Sequence, residues 1–175
     1  MGSRAVRGLR ASGAAQDSRS PAAVLGGARE LAVHVPVLVD EVAFLLRPRG
    51  AGWIIDGTVG MGGHAEAMLS GTGPDVRLLG LDRDPEALRR AAHRLAPFAD
   101  RVRLAHASFR DVADVARTHG VTRARAILLD LGMSSYQIEE SARGFTFQAE
   151  EPLDMRLDPG TGEPAAALLN RLPED

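Results

Sequence analysis

The chain is 175 residues long, which is enough for one domain with one solid core. Its apolar share of 45% and charged share of 25% are ordinary for a folded chain. It has no cysteine, which excludes a disulfide scaffold, a thiolate zinc site and a cysteine nucleophile, and no apolar run approaches the roughly 20 residues of a membrane span. All 21 basic residues are arginine, and five of them stand in residues 1–29 against Asp17 alone. That leaves the remainder net acidic, so any contact with a nucleic acid must come from local arginines, the tail or parts outside this chain.

Residues 1–29 are rich in Ala, Gly, Ser and Arg without periodicity, and read as a disordered tail. An arginine-rich, acid-poor organelle transit peptide is the second reading. Val33–Leu38 opens the fold. From Pro36, the residues Val37, Leu38, Val42, Leu45 and Leu46 suit a helix that stops near Pro48 and Gly50. His34 reads as a structural or capping residue. Trp53–Asp56 is the first strand. Gly57, Gly60, Gly62 and Gly63 then make a tight turn into a helix over Gly63–Ser70. Glycine belongs where backbone bends sharply or lies against a ligand, and the helix N-terminus offers free N–H groups.

The dinucleotide fingerprint G-x-G-x-x-G fails here, because Ala65 stands where the third glycine belongs. The pattern D-x-x-x-G-x-G fits instead, through Asp56, Gly60 and Gly62, and resembles the first motif of S-adenosylmethionine (SAM) methyltransferases. A glycine-rich turn in any α/β protein is the alternative.

Val76–Asp82 is the second strand, apolar almost throughout, as expected when both faces are covered. Asp84 caps a helix with Pro85 in its first turn, running to about Leu95. Arg101–His106 is the third strand, Phe109–Thr118 a helix, and Ala126–Asp130 the fourth strand. Strands alternating with helices predict a parallel α/β sheet with right-handed crossovers. Ligands in such sheets sit beyond the strands' C-terminal ends, here Asp56, Asp82, Ser108–Phe109 and Asp130. An acid about twenty residues past the glycine turn suits ribose hydroxyls, so Asp82 points to an adenosine ligand. Three carboxylates favour a cationic sulfonium over a diphosphate. Phe109 is read either against an adenine face or as a core residue.

After Asp130 the alternation stops. Leu131–Gln137 reads as a polar loop, Arg143–Phe147 as a short hairpin arm, and Glu163–Leu172 as a helix with Pro164 in its first turn. Arg143 and Arg156 are candidates for holding phosphates, and Phe145 and Tyr136 for stacking on a base. An ion-paired arm packed on the sheet is the other reading of all four.

Five blocks in order resemble the bacterial 16S rRNA cytosine-N4 methyltransferase family (MraW/RsmH). They are Asp56–His64, Leu81–Pro85, Ile127–Ser135, Arg143–Phe147 and Pro152–Arg156. The resemblance covers about residues 34–175. It implies a Rossmann-like SAM-dependent methyltransferase fold, a parallel sheet with helices on both faces. The chain is then expected to stop after the fourth strand and the start of an inserted helical domain. Residues 30–135 would be the first half of the SAM-binding domain, and 136–175 an arm and the start of the substrate-recognition insert. Strand four would lack its next neighbour.

The resemblance further implies SAM as cofactor, bound by Gly62, Gly63, His64, Asp82, Phe109, Asp130 and Gln137. It implies no metal, and a cytidine of small-subunit rRNA near the decoding site as substrate. The 30S subunit would be the partner, in the cytoplasm and away from membranes, and a homodimer is admitted. Asp130 is the candidate acceptor for the amine proton, with the Ser134-Ser135 loop beside it. Val59 and Met61 depart from the family's usual phenylalanine and arginine, and Tyr136 from its proline. A SAM-binding piece without catalysis and an NAD-type oxidoreductase are the alternatives.

Overall fold

Sheet order places four strand ends around one cleft. The computed structural model describes residues 36–173; the 1–29 tail and His34 lie outside the described residues. The strands are β1 (Gly52–Asp56), β2 (Val76–Asp82), β3 (Val102–His106) and β4 (Ala124–Leu128). All pairings are parallel, in the order β3-β2-β1-β4. The helices are α1 (Val39–Leu45), α2 (Gly63–Ser70), α3 (Pro85–Arg94), α4 (Val112–Thr118), α5 (Ser135–Glu139) and α6 (Ala165–Arg171).

Alternation along the strands builds two cores. Ile54 and Leu78 face Ala65, Met68 and Leu69 of α2 and Ala91 of α3. Ile55, Leu79 and Leu81 face the other way, onto Ala116, Val112 and Val115 of α4. Helices therefore cover both faces, as the apolar run of β2 predicts. Gly80 is needed at this layer: a Cβ there would stand 2.8 Å from Leu104 Cδ2 and 3.0 Å from Val59 Cγ2. Its absence lets the glycine turn lie on the sheet, where the Val59 N–H donates to the Leu81 carbonyl at 2.9 Å.

Local rules set the helix starts. Asp84 accepts from the N–H groups of Glu86 (3.0 Å) and Ala87 (3.4 Å), with Pro85 in the first turn of α3. Gly60 and Gly62 take left-handed φ of 51° and 83°, which glycine adopts without strain.

Three expectations are corrected. β4 starts earlier and ends at Leu128, so Asp130 lies two residues beyond the strand. The Gly57 N–H closes the last ladder pair on the Leu128 carbonyl (2.9 Å), and the ladder stops there because the Asp130 N–H turns to Thr58 Oγ1 (2.7 Å). The Leu131–Gln137 loop contains the start of α5, nucleated by a capping box between Ser134 and Gln137. Residues 143–147 form no strand, because Arg143 turns inward to a buried partner. As expected, β4 pairs with β1 alone among the described residues.

Candidate functional site

A cavity of about 290 Å³ opens at the C-terminal ends of the strands. The turn Gly57–Met61 with Gly63 and His64 forms one wall. Asp82 and Phe109 form a second, and Asp130–Ser134 with Gln137 a third. Six of the seven residues expected to bind a cofactor therefore share one cleft. Gly62 is the exception: its α-carbon faces α3, where a Cβ would meet Leu95 Cδ1 at 3.3 Å, so it closes α2 onto α3 rather than lining the wall.

Asp82 is held rigidly. Its Oδ2 accepts from the Gly60 N–H at 2.8 Å and its Oδ1 from the Asp84 N–H at 2.9 Å. Each oxygen keeps a lone pair for a further donor. Burial pushes its carboxyl above the ordinary value, and these N–H groups pull it partly back. Asp56 does not line the cleft. It lies buried at the end of β1, accepting from the Thr58 N–H at 3.2 Å. Burial, with the charges of Asp82 and Asp130, pushes its carboxyl up to about 7. The three acids are thus not equivalent: two face the cleft, and one sits behind the turn with a proton affinity near neutrality.

His64 is 8% exposed. Its Nε2 stands 3.4 Å from Asp130 Oδ2, while its Nδ1 is buried without a partner. His64 lines the cavity, but Nδ1 itself is shut off from it. Phe109 precedes α4 on a single 3₁₀ turn and is partly exposed to the cleft.

Gln137 is largely committed elsewhere. Its Oε1 accepts from the Ser134 N–H (3.0 Å) and its Nε2 donates to Asp84 Oδ2 (3.2 Å). Asp84 is a hub that sequence reading took only as a cap. Fully buried, it also accepts from Arg143 Nη1 at 2.9 Å and Nη2 at 3.2 Å. Arg143 Nη1 donates in turn to the Leu157 carbonyl at 2.7 Å. The ion-paired reading of the arm is the one that holds. Arg156 is clamped by Asp154 at 2.6 and 2.7 Å, and Tyr136 is buried under Arg90 with 3.8 Å between guanidinium and ring. Neither arginine is free for phosphate, nor is Tyr136 open to a base. The signal that could have found α5 was present in S-x-x-Q at Ser134–Gln137. No local signal marks a contact across 59 residues.

Among the described residues, no group of three His, Cys, Asp or Glu side chains is placed to hold a metal ion, and no helix is long and apolar enough to cross a membrane.

A parallel sheet with a glycine turn after β1, an acid ending β2 and a third acid past β4 defines a Rossmann-like domain of the methyltransferase type. The chain belongs to the MraW methylase family, whose family model matches residues 31–175. It is 48% identical over 144 residues to a protein of Nitratidesulfovibrio vulgaris named ribosomal RNA small subunit methyltransferase H, covering 82% of this chain and 45% of that one. A protein of the same name from Heliobacterium mobile is 48% identical over 142 residues, covering 81% and 46%. The chain thus spans about half the length of the curated relatives it matches. A solved rRNA methylase from Streptococcus thermophilus superposes distantly, at 20% identity and a TM-score of 0.41 over 54% of this chain and 52% of that one.

Proposed function

We propose that this chain is the cofactor-binding part of an enzyme that moves a methyl group from SAM to the N4 amine of a cytidine in 16S rRNA, near the decoding site. Residues 30–135 would bind the cofactor, and 136–175 would begin the substrate-recognition region. The observation that carries the reading is the rigid Asp82 carboxylate beside a glycine turn, with an aromatic ring in the same cleft. These donors and acceptors fit an adenosine with a cationic sulfonium, whose chemical contribution is an activated methyl group.

Asp82 accepts from ribose hydroxyls, Phe109 lies against the adenine, and the acids at the strand ends balance the positive sulfur. Asp130 is the exposed acceptor at the mouth, its backbone fixed on Thr58. It aligns the N–H of the attacking amine and takes the proton late in the transfer. That amine is a poor nucleophile, so alignment supplies most of the rate; such alignment reaches effective molarities of roughly 10⁵–10⁸ M. Unstacking the target base costs a few kcal/mol.

Titration calorimetry with SAM and with NAD tests the cofactor. SAM binding in the micromolar range, with none for NAD, is expected; the reverse preference overturns the reading. A form extended to the relatives' length should methylate 30S subunits, and SAM binding without transfer to any rRNA would reject the enzymatic part. Asp82→Ala should weaken SAM by about 1–3 kcal/mol, because it strands the Gly60 and Asp84 N–H groups as well as the ribose. An unchanged affinity removes Asp82 from the site.

A further inference from the structure

The sheet is electrically polarised along its strands. Acids gather at the C-terminal ends, and arginines at the N-terminal ends. The loop entering β1 carries Arg47 and Arg49, Arg77 is the second residue of β2, β3 is flanked and entered by Arg101 and Arg103, and β4 by Arg123 and Arg125. Only Asp75 and Asp100 stand among them in these loops and strand starts. That is a net of five positive charges on a chain whose total is −2. No described carboxylate forms an ion pair with any of the seven, whereas Arg89, Arg90 and Arg94 on α3 all meet one.

Four of the seven, Arg77, Arg101, Arg103 and Arg125, are ordered by groups that leave their charge uncancelled. Arg77 and Arg103 both stand over the Trp53 ring, 5.8 and 5.2 Å from its centre, and Arg101 stands over Phe98 at 5.2 Å. Arg101 Nη1 donates to the Gly73 carbonyl at 2.7 Å, and Arg125 Nε to the Ala51 carbonyl at 3.4 Å. A second cavity, of about 280 Å³, lies between Trp53, Pro74, Asp75 and Arg77. Within these loops and strand starts no large apolar side chain is exposed; the exposed Phe44 and Leu45 stand at the end of α1, before Arg47.

We propose that this rim is a second RNA contact, taking phosphodiester groups of the substrate RNA away from the target base; the proposal rests on the RNA-methylating reading above. Planar guanidinium forks match phosphate oxygens, and each phosphate neutralised releases condensed counterions. The rim lies about 13 Å from the cofactor cleft along β1, at roughly 3.3 Å per residue. A target base held alone in the cleft leaves the rim empty, whereas a folded RNA offers phosphates to both ends of the sheet. The rim therefore selects structured RNA over a free oligonucleotide.

The test compares two triple variants of the full chain that lose equal charge. Arg77→Gln/Arg103→Gln/Arg125→Gln removes the rim. Arg89→Gln/Arg117→Gln/Arg171→Gln removes exposed arginines elsewhere. Binding of a structured small-subunit rRNA fragment and of a short oligonucleotide carrying only the target base is measured against salt, with SAM affinity as the check on the cleft. The rim variant should bind the structured RNA about 100-fold more weakly at physiological salt, with the log–log salt slope reduced by about three. It should bind the oligonucleotide and SAM as the parent does, and the control triple should fall far less. Equal RNA affinity in the two triples overturns the proposal and leaves the rim to an acidic protein partner. Rim-dependent RNA binding without methyl transfer by the extended form would keep the rim and discard the enzymatic reading; transfer that ignores the rim does the opposite.

Discussion

Replacing Arg143 by methionine is expected to lower the free energy of unfolding by about 3–5 kcal/mol, the cost of stranding one member of a buried ion pair. The partner left behind is Asp84, which is 0% exposed. It would keep the Gln137 amide and the two N–H groups of its own helix, but no counter-charge. The loss is not only Coulombic. Arg143 also holds the Leu157 carbonyl, so the segment that brings Leu157 to the cleft loses one of its anchors and keeps the contact of Asp158 with His106. Urea denaturation of parent and variant reads the effect directly, and a difference below about 1 kcal/mol would show that the pair is relaxed in solution. Two companions separate charge from shape. Arg143→Lys keeps the charge but loses the fork, and should recover part of the stability. Asp84→Asn combined with Arg143→Met removes both charges, and should cost less than Arg143→Met alone.

This contact also shows where sequence reading stops. The bounds of α2 and β2 could be read to the residue, because each is set by neighbours in the chain. A glycine turn feeds α2, and a run buried on both faces with an acid at its end makes β2. The residues lining the cleft were legible for a similar reason: parallel topology brings strand ends together whatever the side chains are. What was not legible depends on partners far along the chain. Nothing near Arg143 announces that it points inward to a helix cap 59 residues earlier, and so the sequence leaves the arm open between phosphate and base contacts and an ion-paired packing on the sheet. Asp130 was placed inside β4 because Leu129-Asp130 continues an apolar run. The hydroxyl of Thr58, 72 residues away, pulls it out. Asp56 was grouped with the acids facing the ligand, yet the turn it begins folds over it.

Asp56 carries the second large effect, and its sign is fixed by burial. The carboxyl is pushed up from 3.8 to about 7, mainly by desolvation, against the pull of the Thr58 N–H, with the charges of Asp82 and Asp130 adding to the rise. The folded state therefore binds a proton that the unfolded chain releases near pH 4. A raised acid contributes stability that is fully present below the unfolded value and is lost as pH rises through the folded one. The window runs from about pH 4 to about pH 7, and three pK steps correspond to roughly 4 kcal/mol as an upper bound. Asp56→Asn has no proton to lose. The stability of the parent minus that of Asp56→Asn should fall across this window and level off above it; a flat difference would mean that the carboxyl is already ionised when buried. The same linkage reaches the ligand. A cation in the cleft opposes the negative field of Asp82 and Asp130, favours the ionised form of Asp56 and should expel part of its proton. Calorimetry of SAM binding near pH 7, in buffers of different ionisation enthalpy, should therefore show proton release in the parent and much less in Asp56→Asn, and equal values in both would separate Asp56 from the charge of the ligand.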